Sequence, residues 1–269
     1  MKGKGVRPSA EGDRVFGALA ADYSAGRPAY PAAVFELLRS RIVGAAGWAH
    51  DEAPLVVDVA AGTGIASDGL LRSGFRVAGI EPAVRMLAQG LEDLAGRSGW
   101  RGAAVARAEA LPLRESAVAG VVVAQAFHWL EARPALDEFA RVLEPGGVLL
   151  VMWNVTEPTP LTREVRKLVR RHNHGRKRAV TPRMRESPPS LRRHPAFAVE
   201  PMVAIDHQRS LAPDDFVRYA RSWSYVGGAL GPSALTGFER ELRDVLERHV
   251  RNGNVVERFV TSAHFARRL

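Results

Sequence analysis

The sequence contains no cysteine, and this absence removes several chemistries at once. A disulfide framework, a thiolate zinc site and a cysteine nucleophile all need the thiol side chain. Long apolar runs are also absent, since the longest, at residues 118–127, is too short to cross a bilayer. The amino terminus is basic and polar and lacks the apolar segment of a signal peptide. We therefore expect a soluble, cytoplasmic protein with no membrane partner.

Positive charge is abundant but unevenly distributed. The formal net charge of +9 at pH 7 suggests a nucleic-acid partner, because Lys and Arg release counterions from a phosphate backbone. Residues 161–193 hold twelve Lys or Arg and two Glu, so the rest of the chain is nearly neutral. This basic segment could be a lid that attracts an anionic substrate, or a solvated helix face and loop. His172 and His174 lie in it without carboxylates nearby in sequence, so no metal site is predicted.

Between residues 54 and 153, apolar runs typical of buried strands alternate with amphipathic helices. Strands separated by helices pair in parallel through right-handed crossovers. The pattern predicts an α/β fold with a Rossmann-like, doubly wound and mostly parallel sheet. We expect seven strands in all, helical cap elements and an antiparallel terminal strand. The predicted core strands are LVVDVA, FRVAGI, AAVARA, AGVVVAQAF and VLLVMW. The helix AVRMLAQGLEDL is expected to bury Val84, Leu87, Leu91 and Leu94.

Composition and periodicity divide the chain into four parts. Residues 1–12 are expected to be a flexible tail, and residues 13–153 a cofactor-binding core. Residues 154–196 are expected to form a basic cap insertion. Residues 197–269 are expected to complete the sheet and the substrate pocket, with a strand or hairpin at 197–211 and the terminal strand at the end.

The loop after the first predicted strand carries the strongest functional signal. It reads DVAAGTG from Asp58, and Gly62 and Gly64 allow its backbone to turn tightly and approach a ligand. Glu81 ends the second strand at the separation, about 20 residues, expected for a carboxylate that accepts hydrogen bonds from ribose hydroxyls. A dinucleotide fingerprint would have glycine at Ser67, which weakens an NAD interpretation. The sequence therefore predicts another ligand that contains a nucleoside.

Several motifs together resemble the class I S-adenosylmethionine-dependent methyltransferases. In family order they are DVAAGTG at residues 58–64, GIEP at 79–82 with a methionine five residues after the glutamate, AEALPL at 108–113 and RVLEPGGVLLV at 141–151. Two further segments, YSAGRPAYP at 23–31 and AQAFHWL at 124–130, are similar to a small-molecule subgroup that includes trans-aconitate methyltransferase-like proteins. The resemblance covers residues 16–153 well and the region after 197 more loosely.

The resemblance implies S-adenosylmethionine as the cofactor and assigns its contacts residue by residue. Arg107 stands where many relatives have aspartate, so a backbone contact would have to hold the adenine amine. Met86 fits an adenine platform or a helix core equally. Tyr23 and Arg27 could close over the cofactor, or be a packed tyrosine and a surface arginine. The implied cofactor residues are Tyr23, Arg27, Asp58, Ala60, Gly62, Gly64, Glu81, Pro82, Met86, Ala108, Glu109 and Gln125.

His128 and Trp129 follow the fourth predicted strand, at the expected mouth of the ligand crevice. Methyl transfer is an in-line displacement that depends mainly on positioning, and a base is needed only if the acceptor must lose a proton. His128 could act as that catalytic base or orient the acceptor by a hydrogen bond, while Trp129 could form a wall of the substrate pocket. Both residues could equally be packing residues.

The predicted function is methyl transfer to a small molecule, with anionic acceptors among the candidates. One alternative is an RNA or DNA methyltransferase that uses the basic segment, although this segment lacks interleaved aromatic residues for base stacking. Another is a cyclase or binding module that keeps the cofactor fold without transferring a methyl group.

Overall fold

An eight-stranded sheet organises the computed structural model, which describes residues 26–44, 52–173, 187–223 and 225–269. The strands are β1 (Leu55–Val59), β2 (Arg76–Ile80), β3 (Trp100–Ala104), β4 (Val118–Ala124), β5 (Leu143–Thr156), β6 (Phe197–Val199), β7 (Val203–Leu211) and β8 (Val255–Arg268). The helices are α1 (Ala32–Val43), α2 (Ile65–Arg72), α3 (Val84–Leu94), α4 (Ala132–Val142), α5 (Pro160–His172), α6 (Pro189–Arg192), α7 (Pro213–Arg221) and α8 (Pro232–His249).

The sheet has the order β3-β2-β1-β4-β5-β8-β6, and β7 also pairs with β8. Strands β1 to β5 are parallel, whereas β8 is antiparallel to each of its partners. This confirms the doubly wound α/β prediction and its antiparallel terminal strand. The sheet has eight strands rather than the predicted seven, because residues 197–211 form two strands that each pair with β8 instead of forming a hairpin. With 14 residues, β8 is long enough to pair with β6 near its end and with β7 along the rest of that edge.

Helices cover both faces of the sheet, which explains why its central strands are apolar throughout. Six of the seven residues of β4 are buried. One apolar cluster joins β4 to α4 through Leu136 and Phe139, and a second joins the opposite face to α1 and α2 through Phe35 and Leu70. The parallel sheet is thus held rigidly beneath the loops that leave its carboxyl edge.

The predicted bounds of the third strand and the predicted buried face of α3 were both wrong. The third strand ends at Ala104 rather than extending through residues 103–108, and Val105 is 56% exposed. On α3, Val84 and Leu91 are exposed, and the buried residues are Met86, Leu87, Gly90 and Leu94. The reason is the close approach of Gly90 to the loop after β1, where an added Cβ would lie 3.1 Å from the carbonyl carbon of Thr63.

Helices α5, α7 and α8 pack around a third apolar cluster, beyond β5, that includes Phe216 and Phe238. Glu164 and Glu241 connect α5 to α8 through salt bridges of 2.7 Å to Arg248 and Arg171. These helices provide the expected cap elements. Within the described residues, no helix combines the length and apolarity needed to cross a membrane.

Candidate functional site

The strand order of the sheet has a switch point between β1 and β4 at its carboxyl edge. The chain runs outward from β1 to β3 and then returns to β4 on the other side of β1. At such a switch point the loops on the two sides diverge and leave room for a ligand. The loops that follow β1, β2 and β4 carry the residues predicted to bind the cofactor, so the fold brings these three groups to one edge.

The loop after β1 has an unusual backbone conformation. Ala60, Gly62 and Gly64 have φ angles of +56°, +58° and +81°, all in the left-handed region. This conformation costs an alanine roughly 1–2 kcal/mol, so Ala60 is strained. At Gly64 an added Cβ would lie 2.7 Å from Cδ1 of Leu94. The two glycines thus serve a tight turn packed against α3, and strain of this kind is typical of ligand-binding loops.

Glu81 connects this loop to the start of α3. Its Oε2 accepts a hydrogen bond of 2.9 Å from the Gly62 backbone N–H, and its Oε1 accepts one of 2.9 Å from Ala83. The side chain is buried, which fixes its orientation. An ionised carboxylate has about four acceptor sites, so a ribose hydroxyl is a suitable donor to this group. Met86 is also buried, and its Cε lies 3.5 Å from where a Cβ on Gly62 would be.

Asp58 lies below the loop and is 1% exposed. Burial raises its pKa to about 7, against hydrogen bonds from Ser67 that lower it, and the nearby charge of Glu81 adds to the rise. The Ser67 hydroxyl donates to Oδ2 at 2.7 Å, which explains why serine replaces the fingerprint glycine. Within the described part of the chain, Asp58 Oδ1 has no hydrogen-bond partner. This carboxyl group therefore anchors the loop from beneath and keeps one free acceptor.

Exposed apolar side chains follow β2, β3 and β4 at the same edge. Val84, Val105 and Trp129 have exposed fractions of 59%, 56% and 56%. Pro82 is exposed beside Val84. Exposed apolar side chains in the loops at a carboxyl edge are suited to a ligand with apolar faces, such as a purine ring.

Glu109 fastens the loop after β3 to the start of α4. It accepts hydrogen bonds from the Glu131 backbone N–H at 2.9 Å and from Arg107 Nε at 3.2 Å. Arg107, the departure from the family pattern, is thus part of an ion pair. Ala108 is buried beside it. Ala108 and Glu109, two of the implied cofactor residues, therefore lie in a loop that hydrogen bonds hold in place.

His128 lies on a short 3₁₀ turn that follows β4, with its ring centroid 4.9 Å from that of Trp129. Trp153, on β5, directs its indole N–H at His128 Nδ1 over 3.5 Å. Partial burial lowers the pKa of His128, which favours the neutral form of the ring. Because an indole N–H can only donate, this contact favours the tautomer with its proton on Nε2.

Asn154, near the carboxyl end of β5, is a buried polar residue at this edge that the sequence analysis did not single out. It is buried, and its backbone carbonyl accepts a hydrogen bond of 3.2 Å from the Nε2 of Gln125, which has a φ of +59°. The available signal was a polar residue directly after the apolar run VLLVMW. Its position beside the loop after β4 places it at the carboxyl edge of the sheet.

The predicted amino-terminal contacts are only partly described. Tyr23 lies outside the described residues. Arg27 is near enough to Tyr219 for its charge to lower the pKa of that phenol, which burial raises to about 12. The carbonyl of the preceding residue, Gly26, accepts a hydrogen bond of 2.7 Å from Arg209 on β7. Arg27 therefore lies where the amino-terminal segment meets the cap.

A family model described as a methyltransferase domain matches residues 57–151. The match covers less than half of the chain, so it shows that this region resembles a methyltransferase domain. The match supports S-adenosylmethionine as the cofactor of this domain, as the resemblance implied. The domain includes β1 to β4 with their loops and most of β5, and so holds Asp58, Gly62, Glu81, Gln125 and His128.

Two of the similar proteins are described as methyltransferases, and a third is described as a cyclase. The uncharacterized methyltransferase Rv3342 of Mycobacterium tuberculosis is 34% identical over 142 residues, which are 53% of each protein. The chain thus spans about half the length of the curated relatives it matches. A solved structure of a putative type II methyltransferase from Anaeromyxobacter dehalogenans has a TM-score of 0.62 and 24% identity, over 90% of this chain and 97% of the other. The [4+2]-cyclase SpnF shares the fold, with a TM-score of 0.54, 15% identity and 97% coverage of both chains.

Proposed function

We propose that the whole chain is an S-adenosylmethionine-dependent methyltransferase that acts on a small molecule. The observation that carries the proposal is the contact between the Gly62 N–H and the Glu81 carboxylate at the switch point. This hydrogen bond places the loop proposed for the methionine moiety next to the carboxylate proposed for the ribose. One adenosyl ligand could therefore contact both. When bound, the cofactor supplies a methyl group activated by a sulfonium.

In this proposal, different residues at the carboxyl edge of the sheet contact different parts of the cofactor. The turn of Gly62 and Gly64 lets the backbone approach the methionine moiety, and Glu81 accepts from the ribose hydroxyls. Pro82 and Met86 pack against the adenine. The remaining contacts, also proposals, are those of Tyr23, Arg27, Asp58, Ala60, Ala108, Glu109 and Gln125.

His128 and Trp129 receive the methyl acceptor in this proposal, and residues after 154 complete its pocket. With Nδ1 facing Trp153, the neutral His128 ring presents its Nε2 proton to the substrate. A proton donor at this position orients an oxygen acceptor rather than deprotonating it. It suits an acceptor that is already ionised, such as a carboxylate. The similarity of residues 23–31 and 124–130 to trans-aconitate methyltransferase-like proteins supports the same class of small acid.

The contacts of the basic segment also support a small substrate over a nucleic acid. On α5, Arg171 and His172 both contact Glu241, and Arg166 donates to the carbonyl of Thr156. Among the described residues of the segment, Arg166 and Arg171 thus each bind a group of the protein itself, Arg171 at an exposed position. Phosphate binding along a nucleic acid would need a row of cations free to neutralise it.

Incubation with methyl-labelled S-adenosylmethionine tests the proposal. We expect S-adenosylhomocysteine to form, and one compound from a panel of small carboxylic acids and phenols to gain the mass of one methyl group. Label transferred to RNA or DNA would favour the first alternative. Binding of the cofactor without turnover on any acceptor would favour the cyclase or binding module. No binding of cofactor or product would contradict all three.

Two variants of His128 separate its candidate roles. Replacement by alanine removes a hydrogen bond to a charged group, worth about 1.5–3 kcal/mol, and is expected to lower kcat about 10- to 100-fold. His128→Gln keeps an N–H donor but cannot act as a base, so it should retain most of the activity. Both should bind S-adenosylhomocysteine like the wild type by calorimetry. A glutamine variant as inactive as alanine would indicate a base, and an unchanged alanine variant a packing role.

A further inference from the structure

The carboxamide of Asn154 forms hydrogen bonds at both ends. Its Oδ1 accepts from the Thr261 hydroxyl at 2.6 Å and from His207 Nε2 at 3.2 Å. Its Nδ2 donates to the carbonyls of Ala29 at 3.2 Å and Pro28 at 3.4 Å. The side chain is buried, so each of these bonds is formed away from bulk water. Asn154 thus links the amino-terminal segment to β7 and β8.

The Oδ1 and Nδ2 atoms of Asn154 bind different kinds of structure. Thr261 and His207 belong to β8 and β7, which pair with each other along nine residues independently of the Asn154 side chain. Residues 28–29 precede α1 and have no sheet partner among the described strands. Arg209 supplies a second anchor by donating to the Gly26 carbonyl, and is itself held by Glu257 at 2.6 Å. The segment that carries Arg27 is therefore fastened to the sheet at two points, by Asn154 on β5 and Arg209 on β7.

Asn154 also contacts the loop after β4. Gln125 donates from its side chain to the Asn154 carbonyl at 3.2 Å, and its own backbone N–H donates to the carbonyl of Met152 at 2.9 Å. One residue thus connects the amino-terminal segment, the end of β5 and the loop beside the proposed methyl donor.

We infer that Asn154 is a positioning residue for cofactor binding, which holds residues 26–29 against the loop of Gln125 before the ligand arrives. The inference rests on the proposed function. A segment ordered in advance loses less conformational freedom when a ligand binds, so preorganisation raises affinity. Releasing the segment should then weaken cofactor binding while leaving the sheet intact.

Asn154→Asp isolates the donating half of the carboxamide. The carboxylate has the same size and still accepts from Thr261 and His207, but it cannot donate to the carbonyls of residues 28–29. Thr261→Val is the matched control, because it removes the shortest bond to Oδ1 and keeps the two bonds from Nδ2. The two variants thus disturb opposite ends of one side chain.

Three measurements are made on the full-length chain: S-adenosylhomocysteine affinity by calorimetry, thermal midpoint, and amide hydrogen exchange at Ala29 and Tyr30. We expect Asn154→Asp to weaken affinity about tenfold, the effect of 1.4 kcal/mol, and to speed exchange at both amides with or without ligand. Thr261→Val should lower the thermal midpoint and keep affinity within about twofold of wild type.

Equal affinity of Asn154→Asp and the wild type would overturn the inference, as would equal weakening by Thr261→Val. Unchanged exchange at Ala29 and Tyr30 would also overturn it, because the segment would then be held by other contacts. A wild-type chain that does not bind S-adenosylhomocysteine would instead contradict the proposed function. The exchange measurement needs no ligand, so the two failures can be told apart.

Discussion

Replacing Glu81 by alanine is expected to abolish measurable binding of S-adenosylhomocysteine. The variant loses the proposed acceptor for two ribose hydroxyls, and each hydrogen bond to a charged group is worth about 1.5–3 kcal/mol. It also leaves the N–H groups of Gly62 and Ala83 without the carboxylate that orients them. We therefore expect affinity to fall at least about 100-fold, measured by calorimetry.

Glu81→Gln distinguishes charge from shape at this position. The amide keeps the size of the side chain but turns an N–H group toward one of the two backbone donors, so it should also bind weakly. Glu92→Ala, at an exposed position on α3, is the control and should bind like the wild type. Affinity of the Glu81→Ala variant within threefold of the wild type would refute the ribose role. Thermal midpoints of all three variants show whether the fold survives.

The meeting of Gly62 and Glu81 could be predicted because it depends on local and regular structure. The strand pattern makes β1 and β2 parallel neighbours, and their register pairs Val59 with Ile80. The residues that follow each strand must then emerge side by side at the carboxyl edge. A glycine turn after one strand and a carboxylate after the next are therefore close whatever the rest of the chain does.

The partners of Asn154 could not be predicted in the same way. Thr261 and His207 come from strands far along the chain, and their contact depends on the antiparallel register that sets Asn154 opposite Thr261. A shift of one residue would turn the side chains to the other face of the sheet. Apolar periodicity does not determine this register, because β8 is buried on both faces near its end.

The rotation of α3 was missed for a related reason. Periodicity counts apolar residues and gives Gly90 no weight, yet the absence of a side chain there lets the helix approach the backbone of Thr63. The helix consequently turns Met86 toward the loop and leaves Leu91 exposed. A contact that depends on the absence of a side chain at Gly90 can be recognised only when the position of the facing backbone is also known.

Asp58→Asn is expected to stabilise the protein at alkaline pH and to flatten the dependence of its stability on pH. The folded state raises the pKa of Asp58 from 3.8 to about 7 because the group is buried. Below the unfolded value both states are protonated and the group has no effect. Between the two values only the folded state keeps its proton, so stability falls as pH rises, and above about 7 the loss is complete.

A shift of roughly three pKa units corresponds to at most about 4 kcal/mol, which the asparagine variant should recover at pH 8. Near pH 4 the two proteins should unfold at similar urea concentrations. Ser67→Ala is the opposing variant, since the Ser67 hydrogen bond lowers the pKa of Asp58 and its loss should extend the fall in stability to higher pH. The test is to measure the urea midpoints of the wild type and both variants from pH 4 to pH 8. If the urea midpoints of wild type and Asp58→Asn instead change in parallel with pH, the pKa of Asp58 is not raised in the folded protein. The carboxyl group would then be ionised across this range and stabilised by a partner.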